Sequence, residues 1–337
     1  MHRGKSGSDV MNEKFWKEKN VLVTGATGFV GSHIIKKLVS YGTDVIALVR
    51  SQDPRSYFYS EGLDKKVINA YGDLKDHDRI CDIITRYEVE TILHLGAQPI
   101  VGTAFVSPVE TFRTNIEGTI NILEGARKSP LVKQIVVASS DKAYGKSEKL
   151  PYTEDMPLMG SAPYEVSKSC ADLISLSYAE TYGMPITVTR FGNIYGPGDL
   201  NFSRIVPGAI KAALTNSVLN IRSDGKMIRE YLYVEDVVNG YLMLAENIEK
   251  TKGEAFNFSS GERLKVMEVV EKIAKVMGKK IETKILNTAK NEIPEQYLSS
   301  EKVRKLLGWK AEYTFERGIE KTIPWYEKNI RSYKRRR

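Results

Sequence analysis

The sequence is poor in the residues that build disulfide-rich or zinc-dependent domains. Only two cysteines, Cys81 and Cys170, occur among 337 residues, and neither belongs to a CxxC pair. A disulfide framework and a structural zinc site are therefore not expected, and we predict that no metal is bound. Both cysteines stand at helical positions, where buried thiols are expected.

Long apolar segments are also missing. No stretch approaches the roughly 18 consecutive apolar residues that a membrane helix needs, and the first twenty residues contain no apolar segment of the secretory type. The apolar fraction of 42% nevertheless suffices for a sizeable core, which excludes wholesale disorder. We expect a cytoplasmic protein without a membrane partner.

The positive charge is concentrated at one end of the chain. Residues 331–337 carry five positive charges, and without these five the formal net charge of +8 falls to +3. A basic groove for nucleic acid is therefore not expected. We interpret residues 331–337 as a solvated basic tail and residues 1–19 as a flexible extension.

Strands and helices alternate through the first two thirds of the chain. The pattern predicts strands at residues 21–24, 44–49, 67–70, 91–95, 132–139 and 186–191. It predicts helices at residues 32–41, 76–87, 114–128 and 164–182. This alternation indicates βαβ units with right-handed crossovers around a parallel sheet.

After residue 191 the pattern changes to turns and short, irregular elements. Two helical stretches, 266–277 and 300–307, are separated by a strand-like segment at 280–286. We expect Trp309 and Trp325 to pack inside a smaller C-terminal α/β domain. The predicted organisation is a dinucleotide-binding domain at 20–191, to which parts of 230–260 return, and a mainly substrate-binding domain at 192–330.

A glycine-rich turn joins the first strand to the first helix. Its glycines are Gly25, Gly28 and Gly31, in a GxxGxxG spacing. In this context the first glycine permits the tight turn, the second lets a pyrophosphate approach, and the third lets the helix pack close to the strand. The helix N-terminus would stabilise the phosphates. The segment predicts a Rossmann-type doubly wound fold, although a purely structural turn remains an alternative.

Residues at the ends of the next strands bear on the choice of cofactor. Arg50 ends the second strand, where an acid favours NAD and an arginine favours the 2′-phosphate of NADP. Arginine can also stack on an adenine ring, so both NAD and NADP remain open. Asp73 follows the third strand and could accept a hydrogen bond from the adenine amine, or simply stabilise a turn.

Tyr164 and Lys168 form a YxxxK pair at the start of a predicted helix. A separation of four residues places both side chains on one face. A lysine ammonium beside a tyrosine lowers the pKa of the phenol from its usual value of about 10, which makes the tyrosine a usable base near neutrality. The pattern alone is common, because the chain has 18 tyrosines.

Polar residues follow the fifth predicted strand. Ser140, Asp141 and Lys142 stand directly after the apolar run that ends at residue 138. In open α/β sheets the ligand crevice lies at the carboxyl ends of the strands, so these side chains should point into a site. The alternative is an ion pair between Asp141 and Lys142 on a surface loop.

Together these motifs resemble the extended short-chain dehydrogenase/reductase superfamily, over roughly residues 20–328. Residues 190–197 (RFGNIYGP) and 229–236 (REYLYVED) are similar to its nucleotide-sugar branch. The resemblance implies a tightly held NAD or NADP, a nucleoside-diphosphate sugar substrate and reversible oxidation at sugar C4. It also implies a homodimer built from two helices of each subunit, for which helices 114–128 and 164–182 are the candidates.

The Ser-Asp-Lys stretch at 140–142 is similar to that of CDP-glucose 4,6-dehydratases. Sugar 4-epimerases usually carry a serine-rich stretch there, and other 4,6-dehydratases most often carry Thr-Asp-Glu. Segments 96–101, 198–207 and 296–309 are also similar to the CDP-glucose group. Val-Glu-Asp at 234–236 departs from that group, which leaves the nucleotide base open.

The resemblance assigns roles to individual residues. Tyr164 would be the base that removes the C4 hydroxyl proton. Ser140 would form a hydrogen bond to the same C4 oxygen, and Lys168 would hold the ribose. Asp141 would be the acid at C6, and Lys142 occupies the position of the C5 base. The expected cofactor contacts are Gly25, Thr27, Gly28, Phe29, Val30, Gly31, Arg50, Asp73, Leu74, Leu95, Gly96, Ala97, Tyr164 and Lys168. The expected substrate contacts are Gln98, Asn193, Arg204 and Arg229.

The sequence is compatible with three functions. The first is a nucleotide-sugar 4,6-dehydratase, a hydro-lyase that recycles its NAD(P). The second is a sugar 4-epimerase of the UDP-glucose or UDP-glucuronate type. The third is a non-catalytic nucleotide-binding protein, since fold does not fix function. Asp141 and Lys142 favour the first over the second, and the intact Tyr164/Lys168 pair argues against the third.

Overall fold

The computed structural model describes residues 13–288 and 293–333. Of the predicted flexible extension (1–19) and basic tail (331–337), residues 1–12 and 334–337 lie outside these ranges. Residues 13–16 form a helical turn in which Trp16 is fully buried. The described chain divides into two compact units. The first contains the described residues up to Ala143, together with Leu158–Arg190 and Val238–Phe256. The second contains Tyr144–Pro157, Phe191–Val237 and the described residues from Asn257 onwards.

The first unit is organised around a parallel sheet. Its strands are β1 (Asn20–Thr24), β2 (Asp44–Val49), β3 (Ile68–Tyr71), β4 (Thr91–His94), β5 (Gln134–Ala138), β6 (Ile186–Phe191) and β10 (Ala255–Phe258). The last residue of β6 and the last two of β10 are assigned to the second unit. The strand order is β10-β6-β5-β4-β1-β2-β3, and the pairs from β6 to β3 are parallel. This order contains the 3-2-1-4-5-6 arrangement of doubly wound nucleotide-binding folds, which confirms the predicted α/β class.

The helices of the first unit cover the sheet. They are a helical turn α1 (13–16), α2 (Phe29–Ser40), α3 (Tyr57–Ser60), α4 (His77–Arg86), α5 (Val101–Val106), α6 (Pro108–Phe112), α7 (Gly118–Arg127), α8 (Pro163–Tyr182) and, from the next segment, α10 (Val234–Glu246) and α11 (Ile248–Thr251). The first four residues of α10, up to Val237, belong to the second unit. Strand residues such as Leu22, Ile92 and Ile135 are fully buried, as expected for a sheet with two covered faces.

The second unit contains two small sheets. Its strands are β7 (Asn193–Tyr195), β8 (Leu219–Ile221), β9 (Ile228–Tyr233), β11 (Arg263–Lys265), β12 (Thr283–Ile285) and β13 (Glu295–Gln296), and its helices are α9 (Ile205–Thr215), α12 (Val266–Met277), α13 (Glu301–Leu307) and α14 (Phe315–Tyr333). β9 pairs with β7, β11 and β13, and β8 pairs with β12. Trp309 packs edge-to-face against Phe258, and Trp325 against Tyr326.

Several helices were missed in the second half of the sequence. The expectation of short, irregular elements after residue 191 is wrong for α9, α10 and α14. α14 runs through Pro324, a residue that normally ends a helix. In α9, Pro207 and Gly208 in the first turn masked a helical period whose buried side includes Ile210.

Other differences concern boundaries. α2 begins at Phe29, directly after Gly28, and not at residue 32 as predicted. The predicted helix at 114–128 is divided, since Arg113–Glu117 forms a π-helical turn before α7. The strand-like segment at 280–286 shortens to β12. Cys81 and Cys170 are partly exposed, so the expectation of fully buried thiols is wrong.

Candidate active site

The glycine turn after β1 is shaped by contacts that exclude side chains. Gly25 has a φ of +67°, and a Cβ there would lie 2.9 Å from the backbone nitrogen of Gly96. A Cβ on Gly31 would overlap the carbonyl oxygen of Gly25. Gly28 is exposed, donates its N–H to the Gly25 carbonyl at 2.9 Å, and is followed by the first residue of α2. An open helix N-terminus beside bare backbone is suited to a dinucleotide pyrophosphate.

The other expected cofactor residues lie at the same carboxyl edge of the sheet. Arg50 is exposed directly after β2, and Asp73 follows β3 and accepts a hydrogen bond from the Lys75 backbone at 2.9 Å. Leu74 is buried, and its side chain lies where a Cβ on Gly96 would stand. The remaining ones are partly exposed around the β1 and β4 turns: Thr27, Phe29, Val30, Leu95 and Ala97.

A chain of hydrogen bonds connects these turns through His94. The Gly96 N–H donates to Thr24 Oγ1 at 2.9 Å, and Thr119 Oγ1 donates to the Asn115 carbonyl. Thr24 Oγ1 lies 2.8 Å from His94 Nδ1, and Thr119 Oγ1 lies 3.1 Å from His94 Nε2. Because the Thr119 hydroxyl donates its proton to Asn115, its oxygen accepts a hydrogen bond from His94 Nε2–H. His94 Nδ1 therefore carries no proton and accepts from the Thr24 hydroxyl. This chain requires a neutral imidazole, and burial together with the charge of Lys168 lowers the pKa of His94 to about 3.

Asn115, in the π-helical turn, is a site residue that the sequence reasoning missed. Its Oδ1 accepts from the Gln98 backbone at 2.7 Å, and its Nδ2 donates to the Gln98 carbonyl and, at 2.9 Å, to Ser167 Oγ. It therefore links the loop after β4 to α8. The available signal was an asparagine inside a predicted helix, a position that its side chain normally disfavours.

Tyr164 and Lys168 lie one turn apart near the start of α8. Tyr164 is partly exposed, whereas Lys168 is 6% exposed and donates from Nζ to the Ala138 carbonyl at 2.7 Å. This bond ties the lysine to the carboxyl end of β5. Burial lowers the pKa of Lys168 to about 8, and the charge of Asp172 opposes that change. The pair is therefore held at the sheet edge where a ligand crevice is expected.

Ser140, Asp141 and Lys142 are held close to the same helix. Ser140 Oγ donates to Asp141 Oδ1 at 3.0 Å and accepts from the Lys142 N–H at 3.2 Å. Asp141 is 5% exposed, which argues against the alternative of an ion pair with Lys142 on a surface loop. Ser169 Oγ, on α8, donates to the Ala143 carbonyl at 2.9 Å. Hence the turn after β5 and the Tyr164/Lys168 helix are attached to each other within the first unit.

The expected substrate residues already have protein partners. In the first unit, Gln98 bonds through its side chain to Ile100 and Thr111. In the second unit, Asn193 Nδ2 donates to the Glu230 carbonyl at 3.2 Å and Arg204 pairs with Asp199 at 3.0 Å. Arg229, in the same unit, donates from its guanidinium to the carbonyls of Ile228, Ile293 and Pro294. Their assignment to the substrate remains a prediction.

Within residues 13–288 and 293–333, no group of three or more His, Cys, Asp or Glu side chains is arranged to hold a metal ion. Each helix in these ranges falls short of the combined length and apolarity that a bilayer crossing requires.

The strand order, the glycine turn and the Tyr164/Lys168 pair define an extended short-chain dehydrogenase/reductase. The sequence model of the family described as GDP-mannose 4,6 dehydratase matches residues 22–322. The chain belongs to this family, which confirms the predicted dehydratase branch of the superfamily.

Two individual relatives are each 29% identical to the chain over the aligned residues. A CDP-glucose 4,6-dehydratase of Salmonella typhimurium is 29% identical over 343 residues, covering 96% of this chain and 94% of the relative. A trifunctional UDP-glucose 4,6-dehydratase, 3,5-epimerase and reductase of Arabidopsis thaliana is 29% identical over 330 residues, covering 95% of this chain. The chain spans about half the length of this plant protein and of two similar ones, 47–49%.

Solved structures of dehydratases and epimerases have the same fold. A dTDP-glucose 4,6-dehydratase of Bacillus anthracis in complex with NAD has a TM-score of 0.82 and 28% identity, covering 93% of this chain and 98% of its own. A UDP-glucose 4-epimerase of Thermotoga maritima with UDP-glucose has a TM-score of 0.85 and 28% identity, covering 92% of this chain and 99% of its own. The fold alone therefore does not separate the two activities.

Proposed function

We propose that the chain is a nucleotide-sugar 4,6-dehydratase that converts an NDP-hexose, CDP-glucose or a close analogue, into the NDP-4-keto-6-deoxyhexose. The observation that carries the proposal is the attachment of the Ser140–Asp141–Lys142 turn to the helix of Tyr164 and Lys168. It brings a phenol, an ammonium and a buried carboxyl to one sheet edge. These are the groups that an oxidation followed by an elimination requires.

The residues of the first unit fit NAD or NADP. The turn at Gly25–Gly31 and the N-terminus of α2 would hold the pyrophosphate, and Asp73 and the 95–97 loop would hold the adenosine and the nicotinamide side. When bound, the cofactor would take up a hydride from C4 and give it back at C6, while the proton removed from C5 would return to C5, so no external reductant would be consumed. Exposed Arg50 is compatible with a 2′-phosphate, and NAD in the related dehydratase structure supports NAD.

The first chemical step is the removal of the C4 hydroxyl proton. Tyr164, as a phenolate, takes this proton while the C4–H bond breaks, and the sugar becomes a 4-ketone. The Ser140 hydroxyl, which donates to Asp141 Oδ1 in the structure, would turn its proton to the same oxygen. The Lys168 ammonium stabilises the phenolate, because an opposite charge one helical turn away favours the ionised form.

The second step is the loss of water across C5 and C6. The 4-ketone acidifies the C5–H bond, and Lys142 takes this proton either as a neutral amine or through a water molecule. Asp141 gives its proton to the C6 hydroxyl, which leaves as water. A carboxyl acts as an acid near neutrality only where burial favours its neutral form, and Asp141 is buried.

A 4-epimerase is the second candidate, and the similarity to the Thermotoga maritima 4-epimerase supports it. In this case the 4-keto sugar would rotate and regain hydride at C4. Tyr164 and Ser140 would serve both reactions. Asp141 and Lys142 have no task in epimerisation, and we therefore favour the dehydratase.

Mass spectrometry of the reaction products distinguishes the candidates. The purified chain, supplied with NAD and NADP, would be incubated separately with CDP-glucose, UDP-glucose, dTDP-glucose and GDP-mannose. We expect a product lighter by one water from at least one of them, and the best substrate should also raise the melting temperature most. An unchanged mass with a new stereoisomer would establish the epimerase, and no product from any sugar would contradict both.

We further propose that the chain forms a homodimer. Phe105, Val106 and Val109 are 62–87% exposed on α5 and α6, and Leu173 is exposed on α8, against which both short helices pack. A second copy could cover this apolar surface with the same surface of its own. Light scattering should give twice the chain mass, and Val106→Asp should reduce it to one chain, whereas Val218→Asp, at another exposed valine, should not.

A further inference from the structure

An ion pair lies deep inside the first unit, behind the proposed site. Arg190, near the end of β6, donates from Nε to Asp172 Oδ2 at 2.8 Å and from Nη2 to Asp172 Oδ1 at 2.9 Å. The two side chains are 4% and 0% exposed. A buried pair of this kind contributes little net stability compared with well-packed apolar residues, so its presence calls for another explanation.

The pair is adjacent to Lys168 on two elements. On α8, Asp172 is four residues after Lys168, and therefore on the same helix face. On the sheet, Arg190 follows Thr189, which is paired with Ala138, the residue whose carbonyl accepts from Lys168 Nζ. The pair and the lysine thus share one helix face and one pair of strand ends.

Titratable groups stand on each of the elements that adjoin Lys168. The titratable groups are Tyr164 and Asp172 on α8, His94 on β4, Arg190 on β6 and Asp141 after β5. His94 is neutral in its hydrogen-bond chain, and Arg190 is cationic. Burial lowers the pKa of Lys168, and the charge that raises it is that of Asp172.

We propose that Asp172, fixed by Arg190, is a positioning residue that keeps Lys168 protonated while Tyr164 is a phenolate. The inference rests on the role of Lys168 in the proposed function. Without the negative charge, the lysine would give its proton to the phenolate more readily, and the pair would convert to a neutral phenol and a neutral amine. Tyr164, as a neutral phenol, then cannot remove the C4 hydroxyl proton effectively.

The test is the titration of Lys168 in the holoenzyme. The protein would be labelled with ¹³Cε-lysine, and the Lys168 signal assigned by its absence in Lys168→Met. In Asp172→Asn, which keeps the shape and removes the charge, we expect the titration midpoint to move down by about one pH unit, a tenfold change in protonation. The alkaline limb of the kcat profile should move in the same direction, and Asp172→Glu should restore both.

The matched control is Ser175→Ala, which removes a buried hydroxyl from the same helix without changing a charge. It should leave the midpoint unchanged. If Asp172→Asn does not fold, the double variant Asp172→Asn/Arg190→Gln, which removes both buried charges, should move the midpoint down by a smaller amount. An unchanged midpoint in a folded variant overturns the inference. Failure of the proposed function is a separate result, since it appears as the absence of turnover in the wild type, where the lysine still titrates.

Discussion

The two parts of the candidate site in the first unit are built in opposite ways. The turn after β1 depends on side chains that are missing, because Gly25 and Gly31 leave no room for a Cβ. The turn after β5 and the start of α8 depend on side chains that are present, and on buried groups such as Lys168 and Asp141. The comparison indicates that the first part acts through shape, whereas the second acts through proton positions.

The largest effect is expected at the centre of the second part. Tyr164→Phe removes the hydroxyl that takes the C4 proton and keeps the ring. We expect kcat to fall by about 10³-fold, within the range usual for losing a general base. Because the substitution is isosteric, the melting temperature and NAD(P) affinity should change little. A variant with more than a tenth of wild-type turnover would contradict the role of Tyr164.

Asp141→Asn should separate the two chemical steps. The amide keeps the size of the side chain but supplies no acidic proton at C6, so water loss should fall by about 10²-fold or more. Oxidation at C4, which does not use Asp141, should remain. The reduced cofactor should therefore accumulate, and the NAD(P)H absorbance band should rise. Unchanged water loss would refute the assignment, and loss of both steps would point to a distorted turn.

The first part of the site should respond through binding and stability instead. In Gly31→Ala the added methyl group would meet the Gly25 backbone, which cannot move aside as a side chain could. We expect the free energy of unfolding to fall by about 1–3 kcal/mol, as in other overpacked sites, and NAD(P) affinity to fall with it. Denaturant melts and cofactor titration would measure both.

Gly102→Ala is the matched control for that substitution. Gly102 lies in α5, and a Cβ there would meet no atom within 4 Å. The same change should therefore leave cofactor affinity unaltered and raise the helix stability slightly, by about 0.5–1 kcal/mol. Equal losses in the two variants would mean that the glycine turn has no special geometry.

Local and long-range features of the molecule differ in how far the sequence predicts them. The glycine turn, the YxxxK pair and the Ser140–Lys142 stretch are local patterns, so their spacing, their order along the chain and the family resemblance together predicted them. The parallel sheet followed from alternating strands and helices. Asn115 and Asp172 were missed because their function depends on partners distant in the chain, Gln98 at one and Arg190 at the other. In the second unit, α14 was missed because Pro324 interrupts its pattern.

His94 links the end of β1 to α7, and its predicted effect is on stability alone. Its neutral ring is held between the hydroxyl groups of Thr24 and Thr119. Its pKa is lowered from about 6.5 to about 3, so the unfolded chain binds a proton more readily than the folded chain between these values. Stability is therefore fully present above pH 6.5 and is lost as the pH falls towards 3.

Between pH 7 and pH 5 this loss should amount to about 2 kcal/mol of unfolding free energy from His94 alone, at about 1.4 kcal/mol per pH unit below the unfolded pKa. The measurement compares urea melts of the wild type and His94→Asn at both pH values, so that contributions from other groups cancel. The variant should be less stable at pH 7 but should lose less on acidification. Equal losses in both proteins would show that the ring is not held neutral, and the hydrogen-bond chain between the two turns would have to be reassigned.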